Sequence, residues 1–213
     1  MVARLINRRL TAAITYHDAI HGFRAGRRTG TATLEAKLLQ QLTATREAVL
    51  FEVFLDLQKT DDALDRERAL ELLAAYGFGP RTLRFLWTYL DQMTMVARAS
   101  GYFGCPFKGY QGVTQGNPLS PMIFNVVVDA VIIQWVTVVT PSEVGTVRIG
   151  LTTIDLAAYF YANNGLVAST QPERIQTEFD VLTSPFDQVG LHTNTAKMVG
   201  MVYQPCHASG GMS

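Results

Sequence analysis

With 213 residues, 48% of them hydrophobic, the chain can bury one sizeable core or two unequal lobes, and a disordered tail is excluded. Its 18 basic and 18 acidic residues cancel, which argues against a protein held on DNA or RNA mainly by phosphate charge, although residues 1–50 carry eight Arg or Lys against three acids and can form a local basic face. Cys105 and Cys206 are the only cysteines, so a disulfide scaffold and a closed cysteine-rich zinc site are both excluded, and an intracellular, reducing setting is expected.

The opening MVARLINRRL has charge but no long apolar stretch and does not read as a signal peptide. Leu5, Leu10, Ile14 and Ile20 stand at loosely helical spacing, which predicts a helix over residues 4–21. HGFRAGRRTG, His21 to Gly30, packs three Gly and three Arg into one loop; Arg24, Arg27 and Arg28 can grip a phosphate through paired donors or simply stay solvated. Leu34, Leu38, Leu39 and Leu42 predict a helix over Thr33–Thr45, and AVLFEVFLDL, Ala48 to Leu57, reads as a strand with Asp56 at its exit.

Asp65 is a candidate cap for a helix running toward Gly77 or Gly79, and Pro80 opens another through Leu90, with Trp87 read as core. Met93–Ser100 reads as a strand. An open Gly- and Pro-rich loop, GVTQGNPLSP, then feeds a helix from about Ser120 or Pro121; the apolar run Phe124–Val139 is short for a membrane span, holds Asp129 and Gln134, and reads as a buried helix. YFYANNGLVAS, Tyr159 to Ser169, reads as a hairpin turning at Asn-Asn-Gly, so that Asn163 and Asn164 project from its end. A helix over Glu173–Leu182 and a strand over Met198–Tyr203 follow, the latter just beyond Lys197; Cys206 and His207 read as a loose tail.

In this order, HGFRAGRRTG, FLDL, GVTQGNPLSP with MIFNVVVDA, YANNGL and GLHTNTAKMVG resemble the catalytic core of reverse transcriptases of the group II intron and non-retroviral retroelement type, over about residues 21–200. The resemblance implies an α+β polymerase palm with an antiparallel sheet and helices on one face. It divides the chain into partial fingers (1–50), palm with interspersed fingers segments (51–203) and a frayed tail (204–213), with no thumb. It implies RNA-templated DNA synthesis, with an RNA template, a DNA primer and deoxynucleotides as partners; the neutral net charge calls for weak nucleic-acid binding, and the short apolar run for no membrane.

By the same resemblance, Asp56 and the backbone of Leu57 would hold Mg²⁺ or Mn²⁺, and the family's paired hairpin aspartates fall at Asn163 and Asn164. Arg24, Arg27 and Arg28 resemble fingers arginines, Gln115 and Gly116 lie where the nascent base pair would pass, and Lys197 resembles the lysine beside the leaving pyrophosphate. Asp61 stands where an aromatic ring usually excludes ribose, and Asn117 where Asp is usual. Two-cation chemistry uses metals about 3.5–4 Å apart, and Mg²⁺ sheds water reluctantly for neutral ligands. Asp61, Asp62 and Asp155 are the acids near enough in the pattern to be considered as replacements. The chain is therefore expected to be an inactive or strongly impaired polymerase; the alternative is a noncatalytic nucleic-acid-binding or structural remnant of a palm.

Overall fold

The structure is a computed structural model that describes residues 2–139 and 158–204, and the backbone of 146–149 and 152–155. Helix α1 (Val2–Ala12) is followed by a loop, then α2 (Thr29–Thr45) and strand β1 (Leu50–Asp56). A short helix α3 (Thr60–Ala63) precedes α4 (Arg66–Ala75), whose first turn is capped by Asp65 accepting from the backbone of Glu67 and Arg68. Pro80 opens α5 (Pro80–Asp91). Four two-residue strands make one bent hairpin: β2 (Thr94–Met95), β3 (Arg98–Ala99), β4 (Tyr102–Phe103) and β5 (Phe107–Lys108). Next come α6 (Ser120–Val138), the paired strands β6 (Thr146–Ile149) and β7 (Thr152–Asp155), β8 (Ala158–Tyr161), β9 (Asn164–Ser169), α7 (Pro172–Gln188), a single 3₁₀ turn (Thr195–Lys197) and β10 (Val199–Tyr203). Cys206 and His207 lie outside the described residues.

The α+β reading holds. A four-stranded antiparallel sheet runs β10-β1-β9-β8, with β1 paired on both sides. Because side chains alternate along a strand, Leu55, Phe160 and Val167 face one side, where α7 packs and the Phe160 and Phe186 rings meet at 5.9 Å. α6 lies against α7 and α4, tied by the Trp135 indole N–H donating to the Glu178 carbonyl at 2.9 Å. α6 is apolar all round, as a helix enclosed by protein should be. It is long and apolar enough to cross a membrane, but most of it is buried among the other elements.

Leu50, Tyr159, Leu166 and Ala168 face the other side, where α2 brings Leu39 and Leu42 over the end remote from Asp56. Glu52 is buried under α2, where Gln40 Nε2 donates to both of its oxygens; burial raises its carboxyl pKa. The rest of this face is uncovered among the described residues, and Phe54, Val199 and Met201 are exposed on it.

Four sequence expectations are corrected. α1 stops at Ala12 instead of continuing to Ile20, because the following segment has tertiary partners that a helix could not reach: the His17 N–H donates to buried Asp129 at 2.6 Å, Phe160 donates to Ala19 at 2.7 Å and His21 donates to Phe160 at 2.8 Å. Trp87 is 42% exposed, since Leu86 and Leu90 supply the buried stripe of α5. The Met93–Ser100 strand is split into β2 and β3, and α7 runs past Leu182, through Pro185, to Gln188.

Candidate active site

β1 delivers Asp56 to one end of the sheet, opposite Asn164 at the start of β9. The hairpin turn is Ala162-Asn163, because Tyr161 already pairs with Asn164; the predicted Asn163-Asn164-Gly165 turn therefore starts one residue too late. Ala162 takes the positive φ (53°) of this turn. Gly165 is a strand residue, and a Cβ there would meet the Phe160 ring at 2.6 Å. Its small size serves packing on the core face, not turn formation.

Asp56 is 13% exposed, and hydrogen-bond donors surround its carboxylate. Asn163 Nδ2 donates to Oδ1 at 2.9 Å, Asn194 Nδ2 donates to Oδ2 at 3.3 Å and Lys197 Nζ lies 3.2 Å from Oδ2. The Asn194 N–H donates to the Asp56 carbonyl at 2.7 Å, so residues 192–194 are zipped along the exit of β1. Leu57 is buried; its N–H donates to the Asn163 carbonyl at 2.8 Å and its own carbonyl lies 3.5 Å from Asn163 Nδ2. Asn164 is exposed and donates to Asn163 Oδ1 at 3.3 Å. Asp56, Leu57, Asn163, Asn164 and Lys197 are thus brought together.

Beside them opens a cleft of about 540 Å³ lined by Asp61, Gln115, Gly116 and Asn163, with Arg4 and Phe23 on its wall. Burial, together with the charge of Asp62, raises the Asp61 carboxyl pKa, and a hydrogen bond from Gln115 lowers it in part. Gly116 (φ 80°) makes the turn that leads into α6. Asn117 is buried; it accepts from the Leu119 N–H at 3.0 Å and the Tyr89 hydroxyl at 3.3 Å, a structural role that an amide fills as an acceptor.

The fingers-like arginines are not part of this cleft lining. Arg24 donates to the carbonyls of His17 at 2.9 Å and Ile20 at 3.4 Å, while Arg27 pairs with Asp18 at 2.9 Å and Glu35 at 2.6 Å. Arg28 stands exposed at the start of α2. The side chain of Asp155 lies outside the described residues. Sequence reasoning missed Arg4, Phe23 and Asn194. Arg4 offered only its place in a basic segment, Phe23 an aromatic between glycine and arginine in a loop, and Asn194 its position three residues before Lys197.

A two-cation centre does not fit these residues. One carboxylate faces two amide NH₂ groups and an ammonium, so donors stand where charged oxygens are needed. Among the described residues no group of three or more His, Cys, Asp or Glu is placed to hold a metal. The arrangement can hold a polar ligand by hydrogen bonds.

Residues 1–210 match the family described as reverse transcriptase (RNA-dependent DNA polymerase). The chain is 30% identical over 153 residues, 71% of its length, to the retrovirus-related Pol polyprotein from type-2 retrotransposable element R2DM of Drosophila melanogaster, and spans 14% of that protein. It is 27% identical over its whole length to the corresponding polyprotein of type-1 retrotransposable element R2 of Popillia japonica, and spans 29% of it. The fold is similar to that of telomerase from Candida tropicalis (TM-score 0.68, 14% identity, 100% of this chain and 42% of the other). The telomerase of Candida albicans is similar as well (TM-score 0.69, 11% identity, 94% of this chain and 35% of the other).

Proposed function

The chain belongs to the reverse transcriptase (RNA-dependent DNA polymerase) family, and on that footing we propose that it is a polymerase palm that keeps the scaffold for RNA-templated DNA synthesis but not the charge that the reaction needs. The observation that carries this reading is the Asp56 carboxylate, whose oxygens face Asn163, Asn194 and Lys197. Residues 1–50 would be partial fingers, with Arg24, Arg27 and Arg28 shaping the loop ahead of α2, and residues 51–203 the palm. Asp61, Gln115 and Gly116 would line the place of the incoming nucleotide, with a carboxylate at the sugar in place of a ring. Lys197 would hold Asp56 in position and neutralise it.

Primer extension on an RNA template, with DNA primer and deoxynucleotides in Mg²⁺ and in Mn²⁺, tests the reading. The chain is expected to give no template-dependent product, and the double variant Asn163→Asp, Asn164→Asp to gain orders of magnitude, since metal-stabilised charge is worth several kcal/mol in such transition states. Extension by the unaltered chain at a rate close to that of the double variant would sink it.

A second reading, binding without chemistry, is favoured by the excess of basic over acidic residues in 1–50. It calls for micromolar or weaker affinity for primer–template, falling steeply with salt.

A further inference from the structure

The bent hairpin built from β2 to β5 leaves its aromatic rings in solvent. Tyr102 is 81% exposed, Phe103 71% and Tyr110 88%, and Phe107 is half exposed. Neighbours on a strand point to opposite faces, so Tyr102 and Phe103 present rings on both sides of the hairpin tip, and neither belongs to a core cluster. The tip is a tight turn at Ser100-Gly101, both at positive φ, and the ladder continues through the Gly104 N–H donating to the Ala97 carbonyl at 2.8 Å. A two-stranded hairpin with nothing on either face is at best marginally stable by itself, and exposed aromatic patches of this kind mark contact sites.

The charge on the hairpin selects the kind of partner. Residues 92–128 contain no Asp or Glu but do contain Arg98 and Lys108, in a chain that is neutral overall. Arg98 pairs across the ladder with Phe103, its guanidinium carbon 5.4 Å from the ring centroid, and Lys108 pairs with Thr94 beside Phe107. On the hairpin itself the rings are interleaved with cations and carry no acid, whereas Tyr110, just beyond β5, borders a hollow that Asp65 and Glu67 also line; the hairpin matches a polymer that carries flat π-faces and regularly spaced negative charge. A protein surface could meet the rings, but it would leave the unopposed cations without a systematic counterpart.

We propose that this hairpin is a contact surface for single-stranded nucleic acid, with bases stacking on Tyr102, Phe103 and Tyr110 and phosphates lying against Arg98 and Lys108. None of these residues lines the cleft beside Asp56. The proposal is therefore independent of whether that centre carries out any chemistry.

The test uses the full chain and a fluorescently labelled oligothymidylate, with anisotropy as the affinity readout and photocrosslinking of an iodouracil-substituted strand to locate the contact. Crosslinks are expected within residues 98–110. The Tyr102→Ala, Phe103→Ala double variant should bind about tenfold or more weakly, at an unchanged melting temperature, because stacking contributes on that scale per base. Tyr102→Trp should bind at least as tightly as the parent. Arg98→Ala and Lys108→Ala should each lower the salt slope by about one. Crosslinks that fall only outside the hairpin, or full competition by duplex of the same length, would overturn the proposal. So would unchanged oligonucleotide affinity in the double variant accompanied by loss of self-association, which would make the hairpin a protein contact. Primer extension reads the Asp56 centre and leaves this surface untested, so failure of one reading does not imply failure of the other.

Discussion

Both oxygens of Asp56 meet donors on Asn163, Asn194 and Lys197, and among the described residues no group of three or more acids, His or Cys gathers at this end of the sheet. Placing two carboxylates next to Asp56 would create such a cluster, relieved only when cations bind. The Asn163→Asp, Asn164→Asp variant is therefore expected to melt at the same or a lower temperature than the parent in EDTA. Millimolar Mg²⁺ should stabilise the variant only, by about 2.7 kcal/mol at a hundredfold excess over Kd, and so raise its melting point alone. A large Mg²⁺-dependent shift in the parent, abolished by Asp56→Ala, would contradict the reading of this centre. Asp129 shows the reverse situation, a carboxylate buried mid-helix that accepts from the Tyr76 hydroxyl and the His17 N–H. Burial raises its pKa. With the folded pKa above the unfolded one, its contribution is fully present below about pH 3.9 and is lost as pH rises through the folded value. Asp129→Asn keeps an acceptor for His17 without the charge, and its stability relative to the parent should rise as pH increases above about 4 in urea titrations. Asp129→Leu, which leaves both donors buried and unmet, should cost about 1–3 kcal/mol. The meeting of Asp56 and the β8–β9 turn was legible because strand ends and turns fix where side chains emerge, whereas Lys197 was marked only by the family resemblance. Arg4 and Asn194 were not, since their approach depends on packing between elements far apart in the chain.

The β8–β9 hairpin shows how close contacts between elements decide local geometry. A Cβ on Gly22 would overlap the backbone nitrogen of Ala162 in the turn, where His21 and Gly22 lie against the Phe160 carbonyl. Gly30, in the first turn of α2, has nothing within 4 Å of the corresponding point. Gly22→Ala should therefore destabilise by about 1–3 kcal/mol, and Gly30→Ala should stabilise by a few tenths to about 1 kcal/mol. Equal melting points for the two variants would refute the claimed close approach. Most elements were readable from apolar spacing, capping Asp65 and the helix-opening prolines. The turn at Ala162-Asn163 was not, because local preference favours Asn-Gly as the turn, whereas Gly165 is required beneath Phe160 and Leu55. The end of α1 was missed for a similar reason, since Leu10, Ile14 and Ile20 keep helical spacing while Asp129 and Phe160 hold the backbone between them in another conformation.

At the scale of the molecule, the basic excess of residues 1–50 is only partly available to a ligand. Asp18 and Glu35 engage Arg24 and Arg27, whereas Arg4, Arg8, Arg9 and Arg28 are exposed. Arg24→Ala removes donors to two backbone carbonyls and should lower the melting temperature, while Arg4→Ala with Arg8→Ala should weaken polynucleotide binding and flatten its salt dependence with little effect on stability. Melts and anisotropy on the two variants separate these outcomes, and the reverse assignment would show that the loop around Arg24 is the anionic contact.

The central place of β1 also has a consequence for how the chain is made. Its partners β9 and β10 begin at Asn164 and Val199, so neither edge of β1 can be paired until the segments that follow it, through Asn164 and Val199, have emerged from the ribosome. At ordinary rates of synthesis the wait is roughly 5–20 s, during which LFEVFLD is an apolar strand with two open edges. The vulnerable species is the nascent chain, and yield in cells should respond to slower translation or chaperone supply more than to stabilisation of the finished fold.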